Sequence, residues 1–281
     1  PPEHADPAGH PAAHSLEPCL ATTAAGLAID SPYRPGFFTM RGSCLSDAGR
    51  LDEALAAFRD GLRIAANDPM LNYNIAIALL RKGDESAAAD HLERTLLAKP
   101  DHRSALLTLG SLRHEAGRKA PSVAILLRFL MVEPQGPRAQ QAATALLADY
   151  ESTVTKTGEG NYTMSVPASE DEDATLGVAL AISAAAMTVV SPEIPLKTEA
   201  QKRVDGLGSF VAMVGEGDSK KVGANLWKIA FEPLVALEKA GLWEPFGYRV
   251  LAASGSEEAK TWLAAHPAEV GKLTEYLQPA R

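Results

Sequence analysis

His114 followed directly by Glu115 opens a string that, in a zinc hydrolase, closes on a second histidine one helical turn later. Two imidazoles then share a helix face and the glutamate activates the metal-bound water. Arg118 stands where that histidine is needed, so no ligand pair forms. Gly206 and Gly208 lack the third glycine of a dinucleotide loop, and no strand signal precedes them. Gly215-Glu216-Gly217 runs into Ser219-Lys220-Lys221 without phosphate-loop spacing, and no Gly-x-Ser-x-Gly elbow occurs. Asp171 and Asp173 alternate with glutamates but lack the spacing of a calcium loop. His4, His10 and His14 could hold a metal weakly; a flexible tail is the simpler reading. Asn161-Tyr162-Thr163 is a glycosylation acceptor only in a eukaryotic host. These residues assemble no catalytic constellation and imply no cofactor.

Two cysteines, Cys19 and Cys44, cannot build a structural zinc site. Both fall on helices expected to pack side by side, which favours a disulfide in an oxidising compartment. The alternative is a pair of small buried thiols in a cytosolic protein. The start, PPEHADPAGHPAAH, is rich in Pro, Ala and His and has no initiator methionine. It suits a mature exported chain whose signal has been removed, or one trimmed otherwise. Periplasmic or other extracytoplasmic residence is therefore the expectation, with a cytoplasmic location as the alternative.

The elements that would position any site come from a repeat. Gly49, Gly83 and Gly117 recur at intervals of 34 residues, each followed by an alanine-bearing helical stretch, and Lys99-Pro100 and Glu133-Pro134 keep the same interval. A fixed period of this size means stacked helical hairpins. Glycine turns each hairpin and proline stops the second helix. Small residues at Ala76 and Ala88 let the paired helices cross closely, with Ile75, Leu79 and Leu92 filling the space beside them. The third hairpin offers Leu109, Gly110, Leu126 and Pro134, with Ser122 in place of alanine and Arg113 where a large apolar residue is expected. The first offers Gly42, Leu45, Ala54 and Phe58, with Arg41 at the large apolar position and its end stretched to Asp68-Pro69.

This pattern, over residues 34 to 135, resembles the tetratricopeptide repeat. The resemblance implies that the first helices of successive hairpins line a concave protein-binding face. On this chain that face is Thr39, Ser43, Met70, Tyr73, Asn74, Ile77, Leu107, Thr108, Ser111 and His114. One subclass of the family grips a partner's terminal carboxylate with lysine, arginine and asparagine. The matching positions hold Thr39, Ser43, Asn74, Ser104 and Thr108; only Asn74 fits, and no cation remains for a carboxylate. What is left is a mildly apolar groove with hydroxyl and amide groups suited to an extended segment or a partner helix. The chain's own second half or tail is the alternative occupant.

Repeat stacks need end caps. A helix from Ser15 to Ile29, with Leu16, Leu20, Ala24 and Leu27 at helical spacing, covers one end, and a helix from Gly136 to Thr155 with Ala143, Leu146, Leu147 and Tyr150 covers the other. From Gly158 the period disappears. A capping box at Ser169 and Glu172 opens a helix reaching Val190; five more follow, one bent at Pro233. Strand signals are confined to Tyr162–Val166.

Length and composition fit two globular units: 281 residues, 46% hydrophobic and 22% charged. Residues through Thr157 carry 18 acidic and 16 basic side chains and the remainder 17 and 11, with no basic patch in either part, which argues against nucleic acid. The longest apolar stretch, 174–190, has 17 residues broken by Thr175, Gly177, Ser183 and Thr188, short for a membrane span. The expected organisation is a disordered tail over 1–14 and a cap helix over 15–33. Three hairpins plus a capping helix follow over 34–157, then a helical domain over 158–281. The fold class is all-α: a hairpin superhelix followed by a second helical domain. Function is expected to be protein–protein scaffolding without catalysis and with a protein or peptide partner. The other reading is an enzyme or small-ligand receptor using Trp227, Glu232, Trp243 and Tyr248 of the second half.

Overall fold

The computed structural model of the chain describes residues 16–158, 161–164, 181–187, 197–217 and 222–278. Among the described residues it is all-α apart from one small hairpin, with helices packed as consecutive pairs within each compact unit. Contacts divide the chain into two compact units, Pro1–Pro100 and Asp101–Arg281. The sequence repeat is a local pattern and the compact unit a packing pattern, so the two partition the chain differently.

In the first unit α1 (Leu16–Leu27) packs on α2 (Arg34–Asp47), which pairs with α3 (Leu51–Ile64); α4 (Pro69–Arg81) pairs with α5 (Glu85–Ala98). Both α3 and α2 also meet α4, so the two hairpins stack. Cys19 and Cys44 are joined by a disulfide with their Cα atoms 6.6 Å apart, tying α1 to α2. α1 turns Leu16, Leu20 and Leu27 of the expected stripe partly inward and leaves Ala24 exposed. Thr23 and Gly26 are its buried residues, because the cystine side of the helix turns inward and Gly26 lies against the Phe37 ring.

The turns repeat atom for atom. Gly49, Gly83 and Gly117 have φ of 77°, 80° and 68°, the left-handed region where a Cβ is penalised. The following amides, of Arg50, Asp84 and Arg118, donate to the carbonyls of Leu45, Leu79 and Arg113 at 2.8, 3.0 and 2.8 Å, the Schellman closure of a helix end. Inside each hairpin the crossing point is equally regular. Ala54, Ala88 and Ser122 are all fully buried. A Cβ on Gly110 would sit 2.5 Å from Leu126 Cδ2, and one on Gly42 would enter the Phe58 ring. Side chains of Asp68, Asp84 and His102 cap α4, α5 and α6 by accepting from the amides of Leu71, Ala87 and Ala105.

In the second unit α6 (Arg103–Glu115), α7 (Lys119–Val132) and α8 (Pro137–Glu151) pack in sequence. Eleven of the fourteen residues of α7 are buried. A hairpin helix exposed on one side would not be so apolar. The C-terminal helices supply the missing cover: α7 also meets the turn Trp227–Phe231, α12 (Glu232–Lys239) and α13 (Trp243–Ala253).

The capping helix ends at Glu151 rather than Thr155. Thr153 is buried and its hydroxyl donates to the Tyr150 carbonyl at 2.7 Å, after which the chain extends. β1 (Val154–Gly158) then pairs antiparallel with β2 (Asn161–Met164), with an irregularity in register between Lys156 and Gly158. The expected boundary loop is thus partly a β-hairpin. Its β-branched residues Val154, Thr155, Thr157 and Thr163, with Gly158 and Gly160 between them in sequence, were the signal.

Residues 181–187 are helical (α9), with Ile182, Ala185 and Ala186 buried; the rest of the helix expected over Ser169–Val190 lies outside the described residues. α10 (Glu199–Glu216) buries Val204, Leu207, Phe210, Val211 and Val214 as its spacing predicts. The bend at Pro233 takes a specific form. A short α11 (Ala224–Leu226) widens into a π turn over Trp227–Phe231, where the amide of Glu232 bonds the Trp227 carbonyl, and α12 continues beyond. Proline has no amide to donate and its ring crowds the carbonyl one turn back; the wider turn relieves both. α14 (Glu257–Ala265) starts at Ser256, whose hydroxyl caps the Ala259 amide, and α15 (Pro267–Leu277) follows.

Candidate functional site

The predicted concave-face residues divide between the two units. In the first, Thr39 and Ser43 lie on α2, and Met70, Tyr73, Asn74 and Ile77 on the adjacent α4. The Thr39 hydroxyl is used within its helix, donating to the Pro35 carbonyl at 3.0 Å. Ser43, Tyr73, Asn74 and Ile77 are half-buried, whereas Met70 is 47% exposed. Met40, 48% exposed, holds in α2 the place that Asn74 holds in α4. Sequence reasoning passed over it, although one repeat period before Asn74 was the available signal. Met40 and Met70 are thus the exposed large apolar side chains here, while Tyr73 is half-buried.

In the second unit three of the predicted residues lie at a groove. Leu107, Ser111 and His114 of α6 line an open cleft of about 570 Å³ whose other wall is α8, with Gln140, Gln141 and Thr144 at its edge. Thr108, half-buried on α6, is not part of that lining. Leu126 and Ala142 form a buried apolar floor. His114 and Glu115 are the titratable side chains in the lining; the remainder are hydroxyls, amides and aliphatic groups. Thr144 already donates its hydroxyl to the Gln140 carbonyl at 2.9 Å, so its oxygen is left to accept.

His114 is held from behind. Its Nδ1 lies 2.8 Å from Oδ1 of Asp149 on α8, whose carboxylate is 7% exposed while the imidazole is 39% exposed. A neutral imidazole in this pair donates from Nδ1, which leaves Nε2 to accept. Asp149 escaped sequence reasoning because no motif marks it. Its offset of 35 residues from His114, about one repeat, was the only hint. A matching link joins α2 and α4, where Arg81 Nη1 donates to the Ser46 carbonyl at 2.7 Å and its hydroxyl at 2.8 Å.

In the second half Phe210, Phe231, Trp243, Phe246 and Tyr248 are buried packing residues, Trp227 and Trp262 are half-buried, and exposed Tyr276 lines a cavity. Trp243 is buried and donates its indole N–H to the Val204 carbonyl at 2.8 Å, with Gly208 pressed against the ring. Phe210 and Phe231 meet edge to face at 5.6 Å, as do Trp243 and Phe246. Tyr248 stacks on Trp262 at 4.2 Å, and Trp262 on His266 at 4.0 Å. Among the described residues no group of His, Cys, Asp and Glu is placed to hold a metal ion, and no helix is long and apolar enough to cross a membrane. His4, His10, His14, Asp171 and Asp173 lie outside the described residues.

No family model matches the chain. Over 130 residues, 46% of its length, the chain is 31% identical to cellulose synthase operon protein C of Komagataeibacter xylinus. It spans 9% of the length of that relative.

Proposed function

We propose that the chain is a non-enzymatic interaction scaffold, in which first helices of successive hairpins present a polypeptide-binding face. The observation that carries this reading is the α6–α8 groove. Its predicted residues Leu107, Ser111 and His114 line an open cleft with an aliphatic floor and hydroxyl and amide edges. Such a lining can hydrogen-bond the backbone of an extended segment and accept small apolar side chains, while offering little to a highly charged ligand. The α2–α4 face, with Met40, Met70, Tyr73, Asn74 and Ile77, is read as a second contact surface of the same kind.

We place the protein in an extracytoplasmic compartment, because the Cys19–Cys44 disulfide is of a kind that persists where thiols are oxidised. The relative's name points to components of a cellulose-type synthase as the first partners to try. The test is a photo-reactive residue at Gln141, compared with one at exposed Lys260 on α14, each followed by identification of the adduct. Capture of the same purified protein at Gln141 but not at Lys260 is expected. Equal capture at both positions would remove the groove from the account.

A further inference from the structure

The α6–α8 groove has two unlike ends. Leu107, Pro137, Gln140 and Gln141 make one, and none of them is charged. The other is made by His114 and Glu115, at the end of α6, and by Ala148 in the last turn of α8. The lining includes no lysine or arginine. We propose that the occupant is a polypeptide segment carrying one basic side chain, lysine or arginine. That side chain enters the His114–Glu115 end while small apolar residues cover the aliphatic floor. The inference rests on the scaffold reading above and adds the chemistry of the bound segment.

Charge complementarity carries it. The Glu115 carboxylate is exposed and makes no hydrogen bond or ion pair among the described residues. Behind His114 stands the buried Asp149 carboxylate, held by the imidazole at 2.8 Å through Oδ1 and without a hydrogen-bond partner at Oδ2 among the described residues. A neutral imidazole thus presents Nε2 as an acceptor, with one carboxylate behind it and another beside it. Both α6 and α8 end here, and the C-terminal end of each helix adds partial negative charge. Lys119, which donates to the Ser152 carbonyl at 2.9 Å, lies outside the lining. An ammonium or guanidinium group has donors and no acceptor, so it suits this end, whereas a carboxylate is repelled. The formal charge of −8 on the whole chain draws a basic segment in the same sense. Along α8 the lining runs from Pro137 to Ala148, roughly 16 Å, which is the reach of about five extended residues.

Backbone-amide chemical-shift titration of the full chain with end-blocked pentapeptides tests the proposal. The peptides are built of alanine, valine and serine, with one lysine, glutamine or glutamate moved through the five positions. The best lysine peptide should bind at least about 5-fold tighter than its glutamine counterpart, and glutamate weakest. Added salt should weaken the lysine peptides alone. Glu115→Gln should remove most of the preference and Glu115→Lys turn it toward glutamate; the site is exposed, so both variants should keep the wild-type thermal midpoint. Equal binding of lysine and glutamine peptides, lost in Thr144→Trp, would overturn the basic side chain and keep the groove. Lysine-peptide binding unchanged in both Thr144→Trp and Glu115→Gln would overturn both. A glutamine peptide with a free amino terminus that matched the lysine peptide would replace the side chain with a terminal amine and so overturn the assignment. Absence of binding by every lysine peptide would overturn the proposal outright, leaving the Gln141 cross-link to judge the groove.

Discussion

His114 Nδ1 meets Asp149 Oδ1 at 2.8 Å, joining the last turn of α6 to the last turn of α8 across an offset of 35 residues. The Arg81–Ser46 link spans the same offset between α4 and α2. In each case a polar bond ties a helix carrying predicted face residues to the helix two places along, α2 to α4 and α6 to the capping helix α8. The carboxylate is buried, and its Oδ2 has no hydrogen-bond partner among the described residues, so the imidazole is the support that its charge has there.

Removing that support should therefore cost more than removing the pair. His114→Ala is expected to destabilise by about 1–3 kcal/mol, the range for stranding a buried acceptor. His114→Ala combined with Asp149→Ala should recover part of the loss. Urea unfolding of the four members of the cycle measures the coupling. A neutral His114→Ala would show that the bond contributes nothing.

Ser122 occupies the fully buried crossing position that Ala54 and Ala88 hold in the other hairpins, and its hydroxyl finds no partner among the described residues. Ser122→Ala should accordingly stabilise the chain by about 1 kcal/mol and raise the thermal midpoint. Gly110→Ala on the facing helix of the same hairpin should act oppositely, costing about 1–3 kcal/mol, because the new Cβ meets Leu126 at 2.5 Å. Calorimetry of both variants checks the crossing geometry; the same sign for both would refute it.

His91, half-buried on α5, lies 2.9 Å from Asn72 Oδ1, and its pKa is lowered by burial first and by Arg94 and Arg59 next, with Asp90 opposing. The folded state thus disfavours the protonated ring, and the unfolded chain takes up the proton first as pH falls. Stability is full above the ordinary histidine range, declines as pH drops below it, and levels off below the folded-state pKa. Between pH 8 and pH 5 the wild type should lose more stability than His91→Gln. Parallel pH profiles for the two proteins would contradict this assignment.

The cystine gives a further handle. It spans 25 residues, and on the chain-entropy account it stabilises by about 3 kcal/mol. Cys19→Ser with Cys44→Ser should lower stability by that order and free α1, which packs mainly on α2. Hydrogen exchange of Leu16–Leu27 is the readout, and continued protection of that helix would show that packing alone holds it.

The repeat was legible because its determinants are local. A left-handed glycine at 49, 83 and 117, a small residue at 54, 88 and 122, and a closing carbonyl at 45, 79 and 113 each act within one hairpin. The features that sequence reasoning missed depend on distant partners or competing local preferences. Asp149 matters through His114, and the burial of α7 requires helices more than ninety residues later in the chain, such as α12. The turn after Glu151 was read as helix because Tyr150 and Leu147 continue the apolar stripe. Thr153 and Val154, β-branched and buried, take the chain into a strand instead. Pro233 announced a bend but not the π turn that accommodates it.

The most direct test of the scaffold reading is the affinity of the cross-linked partner, once purified, for the wild type and for Thr144→Arg. Thr144 is exposed on the groove wall, so an arginine there obstructs the cleft without disturbing the core. The account predicts binding weakened by about 10-fold or more, roughly 1.4 kcal/mol, with the thermal midpoint unchanged. Unaltered affinity in a folded Thr144→Arg protein would contradict it.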